Sequence, residues 1–148
     1  MNIPPPKVGL VIGYAYLWRD EALAGREEGR KDRPCVIVIA TERVEGRIVV
    51  TVAPITHTPP SSDPACAIEI PPQTKARLGL DEQRSWAIAS DLNQFVWPGV
   101  DLRPVKLGGD SIDYGFLPAT MTQALRAKIL ELARRGGRLT TKRTGAED

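Results

Sequence analysis

The chain has 148 residues, 42% of them hydrophobic, and a formal charge of +2 at pH 7; it fits one domain with a proper core and is not a disordered polymer. That charge is too small to argue by itself for a polyanion partner. Residues 1–125 carry 13 Lys plus Arg against 15 Asp plus Glu, and the basic excess, 7 against 3, lies in residues 126–148, so a nucleic-acid site in the body must rest on local placement of arginines.

Gly9 to Trp18, rich in β-branched and aromatic residues, predicts a first strand. Arg19 to Lys31 is dense in charge and glycine and reads as a mobile loop, or alternatively as a short helix over Asp20 to Arg26. Pro34 to Ala40 is a continuous apolar run, expected of a central strand buried on both faces. Glu45-Gly46-Arg47 predicts a hairpin turn into a strand over Ile48 to Ile55. Thr58 to Pro64, with three prolines and two serines, reads as a loop. Ala67 to Ile70 predicts a short strand. Pro71-Pro72 opens a helical turn through Gln73 to Leu78 that Gly79 ends. Trp86 to Leu92 predicts another strand, broken by Trp97-Pro98-Gly99, and Tyr114 to Leu117 a last short one.

After Pro118, Met121, Leu125, Ile129 and Leu132 recur at three- or four-residue spacing. This predicts an amphipathic helix over about 119–135, stopped by Gly136-Gly137. The expected architecture is mainly β: a small, strongly bent antiparallel barrel over residues 1–137 with one C-terminal helix packed on it. Residues 138–148 are polar and basic and are expected to form a flexible tail.

Cys35 and Cys66, 31 residues apart in apolar surroundings, read as two buried reduced thiols rather than a disulfide, as expected in a cytoplasm. One histidine and two distant cysteines do not make a metal site, and no cofactor motif is present. The apolar run Val8 to Trp18 is short for a membrane span.

The candidate chemistry lies where two strands end. Lys31-Asp32-Arg33-Pro34 puts a permanent positive charge at the mouth of one buried run. Pro54-Ile55-Thr56-His57-Thr58 closes another with two hydroxyls and the only histidine. Guanidinium, hydroxyl and imidazole together suit chemistry on a phosphodiester. The plainer reading pairs Arg33 with Glu28 or Asp32 on the surface, leaves Thr56 and His57 as turn residues, and makes Asp91 and Asn93 caps of the turn that Gln94 begins. Trp86, Phe95 and Trp97 read as core or interface. Trp18, beside the charged loop, is the better platform for a base. Arg134, Arg135, Arg138 and Arg143 read as a solvated end.

In this order the chain resembles the PemK/MazF family of toxin endoribonucleases. The resemblance rests on Arg33-Pro34 before an apolar strand, the Pro54-Ile55-Thr56 element, Ala89-Ser90-Asp91 on a later strand, and Gly115-Phe116-Leu117 before the last helix. It covers roughly residues 8–133. It implies an SH3-like barrel, a homodimer, cognate-antitoxin control, and metal-independent cleavage of single-stranded RNA. Carried over residue by residue, Arg33 and Thr56 match the family's catalytic pair and Asp91 an acidic residue of the substrate groove. Lys31, Thr58, Trp18 and Asn93 are expected to border the RNA, and His57 to move protons. Thr56 and His57 can serve one site only if the strand has ended by Ile55, because consecutive strand residues point to opposite faces. The same fold also supports toxins that grip a topoisomerase without catalysis, and inactive scaffolds.

Overall fold

The computed structural model describes residues 2–26, 31–60, 63 and 66–143. Within them the element order is β1 (Leu10–Tyr16), α1 (Arg19–Leu23), β2 (Lys31–Glu42), β3 (Ile48–Thr56), β4 (Ala67–Glu69), α2 (Pro72–Leu78), β5 (Trp86–Ile88), β6 (Leu92–Trp97), β7 (Asp113–Phe116), α3 (Ala119–Arg134) and β8 (Thr140–Lys142). The sheet runs β4-β5-β3-β2-β1-β7, with β6 also on β3 and β8 on β6. All these pairings are antiparallel except β6 with β8.

Strand β2 explains the curl. Its first half pairs with β1, from Lys31↔Tyr16 to Val36↔Val11, and its second half with β3, from Cys35↔Pro54 to Glu42↔Ile48. A register shift between Ile37 and Ile39 bends it between the two partners, as a bulge does. The result is a half-barrel with both surfaces covered. Val36 and Val38 pack with Val11, Ala53 and Ile55 beneath α3, which contributes Leu125, Ile129 and Leu132. Cys35 and Ile37 point the other way, into a cluster with Ile12, Tyr14, Val52 and Phe95. The apolar run is thus buried on two faces from Cys35 to Val38, as its composition predicts, but Ile39 and Ala40, past the register shift, are exposed. Of the two cysteines read as buried thiols, Cys66 is only partly covered. Burial pushes the Cys35 thiol well above its ordinary range, so it is an inert core residue.

Gly13 marks where the 98–110 connection crosses β1. A Cβ there would lie 2.4 Å from the Arg103 carbonyl oxygen, and Arg103 donates its N–H to the Gly13 oxygen at 2.9 Å. Only glycine lets the two backbones meet.

Several expectations change. The single strand over Trp86 to Leu92 is two, β5 and β6, separated by a bend at Ala89-Ser90. The loop after Trp18 opens with helix α1; residues 27–30 lie outside the described residues. The tail does not fray where expected. Thr140 to Lys142 add β8 parallel to β6, and Arg143 is 5% exposed. Its Nη2 lies 2.9 Å from Asp101 Oδ2, and its Nη1 donates to the Ala15 carbonyl and to Asn93 Oδ1, each at 3.0 Å. A charge read as solvated is instead clamped inside the molecule.

Candidate active site

Arg33 and Thr56 meet because of strand register. The β2–β3 ladder pairs Cys35 with Pro54; carried two residues further, it sets Arg33 opposite Thr56. Both residues, with Thr58, line two adjoining cavities and form the waist between them. The first cavity, about 470 Å³, is bordered by Lys31, Asp32, His57, Asp81 and Tyr114. The second, about 710 Å³, is bordered by Trp18, Arg19, Asp20, Glu21 and Asp91. Together they make one two-lobed groove.

Arg33 is half-buried, and its guanidinium carbon lies 5.0 Å from the centroid of a Trp18 ring. Such a cation–π contact contributes about 0.5–2 kcal/mol and fixes the plane of the fork. Among the described residues Arg33 has no carboxylate partner. Asp32 turns to Arg103 instead, at 3.6 Å, and Glu28 lies outside the described residues. Arg33 Nε is buried with no hydrogen-bond acceptor. An unsatisfied buried donor costs about 1–3 kcal/mol, and such orphans in native structures call for an explanation.

Thr56 is 8% exposed, and its Oγ1 accepts the Thr58 N–H at 3.2 Å. The hydroxyl keeps its own hydrogen to donate elsewhere. Strand β3 runs one residue past Ile55, to Thr56, and His57 lies in the bend that follows. There the alternation of a strand no longer applies, so both side chains border the first lobe. The His57 Nε2 lies 2.7 Å from Asp81 Oδ2. Lys31 and Thr58 are exposed at the groove.

Trp18 forms the wall of the second lobe, edge-on to Tyr16 with ring centroids 5.0 Å apart. Asp91 holds that wall. Its Oδ1 accepts the Tyr16 hydroxyl at 2.5 Å and its Oδ2 the Arg19 N–H at 3.2 Å, at the first turn of α1. Burial raises the Asp91 carboxyl above its usual range, against the lowering effect of those two bonds. Burial, then the Asp91 charge, pushes the Tyr16 hydroxyl up as well, so it remains a donor. Asp91 borders the groove, but both its oxygens serve the fold.

Asn93 is not at the groove surface. It is fully buried, accepting the Leu17 N–H at 3.0 Å and donating to the Leu17 carbonyl at 2.8 Å. It extends the sheet where β1 runs out and has no surface to offer an RNA. Of the aromatic residues read as core, Phe95 and Trp86 are buried and Trp97 packs half-buried beside Phe95.

The sequence reading missed Asp81, Lys75 and Tyr114 at this site. Lys75 carried the available signal. It falls three residues before Leu78 on a short helix, on the face that α2 buries, and a buried lysine needs an anion. Among the described residues no group of three or more His, Cys, Asp or Glu side chains is placed to hold a metal ion. None of their helices is long and apolar enough to cross a membrane.

A family model described as a PemK-like, MazF-like toxin of type II toxin-antitoxin systems matches residues 17–95, more than half of the chain, taking in Trp18, the waist residues Arg33, Thr56 and Thr58, and Asp91. No curated protein and no solved structure gives a match.

Proposed function

For a chain that belongs to the PemK-like, MazF-like toxin family of type II toxin–antitoxin systems, we propose a metal-independent endoribonuclease acting on single-stranded RNA. In this reading it works as a homodimer on an SH3-like barrel, and its cognate antitoxin covers the groove. The observation that carries the reading is Arg33: a guanidinium at the waist of an open groove, stacked on Trp18, beside the Thr56 hydroxyl, and without a carboxylate partner among the described residues.

Cleavage without a metal uses the ribose 2′-hydroxyl as nucleophile. Three tasks follow: remove its proton, stabilise charge on the phosphoryl oxygens, and protonate the leaving 5′-oxygen. Arg33 suits the second task, because its fork can give two hydrogen bonds to phosphate oxygens. Thr56 adds a third donor from the facing strand. His57 suits proton removal, since imidazole is the ordinary side chain that changes protonation near neutral pH. Bases on either side of the scissile phosphate occupy the two lobes, one of them against Trp18.

Purified protein should cut single-stranded RNA in EDTA and leave a 2′,3′-cyclic phosphate. A substrate with 2′-deoxyribose at the scissile position should resist. Cleavage of that deoxy substrate, or none of the all-ribose one, contradicts the proposal.

A further inference from the structure

A chain of three polar side chains runs away from the first lobe into the core. His57 Nε2 meets Asp81 Oδ2 at 2.7 Å. The other Asp81 oxygen, Oδ1, accepts from Lys75 Nζ at 2.9 Å and from the Gln83 N–H at 3.1 Å. Lys75 Nζ also donates to the Gln83 carbonyl. Lys75 is 4% exposed, so the brace is anchored on a buried ammonium rather than on a mobile surface side chain.

Local structure aims this brace at the groove. Helix α2 ends at Gly79 with φ 73°, a left-handed turn that favours glycine. The chain then reverses, with the Leu80 N–H bonded to the Lys75 carbonyl at 2.9 Å, and Asp81 returns beside the side chain of its own helix. Lys75 Nζ donates a hydrogen bond to Asp81 Oδ1, and the opposite oxygen, Oδ2, is presented to the imidazole. The Lys75 hydrogen bond is the largest cause that holds the Asp81 carboxyl below its usual range, with His57 adding to it.

We propose that Asp81, braced by Lys75, is a positioning residue that holds His57 by Nε2–H and leaves Nδ1 as the proton acceptor for the RNA 2′-hydroxyl. This rests on the nuclease reading above. The 2′-oxygen bonds to phosphorus as its proton passes to Nδ1. The 5′-oxygen leaves with the electron pair of the broken P–O bond and is protonated from solvent, to which the imidazolium returns its proton. An anion against the opposite ring nitrogen stabilises that imidazolium, as the carboxylate behind a catalytic imidazole does, here from Asp81, whose side chain is 53% exposed and is held in place by the buried Lys75.

The chain's single histidine makes the test direct. The protonated ring nitrogen is identified by 1H–15N NMR in wild type and in Asp81→Asn, which keeps an acceptor for Lys75 and removes only charge. The other charged or titratable groups bordering this lobe are Lys31, Asp32, Arg33 and Tyr114, and both proteins retain them. The neutral wild-type ring should carry its proton on Nε2, and Asp81→Asn should lose that preference and cleave RNA more slowly. Loss of Asp81 in a His57→Ala background should cost no further rate. A Lys75→Met/Asp81→Ala pair, which strands no buried cation, should behave like Asp81→Asn. A wild-type ring protonated on Nδ1, a tautomer unchanged in Asp81→Asn, or additive rate losses overturn the positioning role while leaving the nuclease standing. Wild-type protein that cuts no RNA removes the nuclease reading, and the role with it.

Discussion

Replacing Arg143 with methionine should release the end of the chain from the sheet. Methionine preserves much of the apolar stem, so the perturbation is confined to the guanidinium. That group lies 2.9 Å from Asp101 Oδ2, with side-chain exposures of 4% and 15%, and supplies hydrogen bonds to the Ala15 carbonyl and Asn93 Oδ1. Removing one member of a buried ion pair strands the other and costs about 3–5 kcal/mol. Asp101 keeps some contact with water, which favours the low end, about 3 kcal/mol. For a chain of this size that corresponds to a Tm lower by roughly 6–12 °C. Urea and thermal unfolding read the loss. The same substitution in an Asp101→Asn background should cost at least ~1 kcal/mol less, because no carboxylate is left stranded. A loss below ~1 kcal/mol, or an equal loss in both backgrounds, refutes the clamp and returns the C-terminus to a loosely held tail.

Three further outcomes follow from the groove and its supports. Trp18→Leu should weaken binding of single-stranded RNA by about 1–3 kcal/mol in a filter or anisotropy assay, through loss of a stacking face; unchanged affinity places the bases elsewhere. Arg33→Met should leave stability level or slightly raised on urea unfolding, since the orphaned Nε disappears; a large loss makes Arg33 a structural residue. The pH dependence of stability should carry opposite signs at two carboxylates. Asp81 titrates below its ordinary range, so the stability it contributes is present above about pH 4 and is lost as pH falls through its depressed value. Asp91 titrates above its ordinary range, so its contribution is present at acid pH and is lost as pH rises through the raised value. Asp81→Asn should flatten the acid side of the stability curve and Asp91→Asn should remove the fall at higher pH; curves parallel to wild type contradict both assignments.

Local pattern made much of the sheet and the waist legible. Pro34 to Ala40 was legible as a strand, covered on two faces over Cys35 to Val38 although not at Ile39 and Ala40, and the Arg33-Pro34 and Pro54-Ile55-Thr56 elements at its end and its neighbour's showed what would lie together once the ladder formed. The α3 stripe was readable from Leu125, Ile129 and Leu132 alone. What escaped were residues whose meaning depends on distant partners. Arg143 looks like any tail arginine until Asp101 and Asn93, 42 and 50 positions earlier, enclose it. Asn93 looks like a polar strand end that could face RNA until Leu17 arrives beside it. Trp86 to Leu92 reads as one apolar strand, but it bends at Ala89-Ser90, just before Asp91, which holds Tyr16 and the first turn of α1. Asp81 carries no local signal at all; only the fold brings it between Lys75 and His57.

The central claim is that Arg33 works on a phosphate and does not merely fill a wall. The direct measurement is single-turnover cleavage of single-stranded RNA by Arg33→Ala, with circular dichroism and urea unfolding on the same preparation. Loss of a preorganised donor of this kind costs about 3 kcal/mol of barrier, a fall of roughly 100- to 1000-fold, and the fold should be retained. Cleavage at the wild-type rate by a folded Arg33→Ala protein contradicts the account.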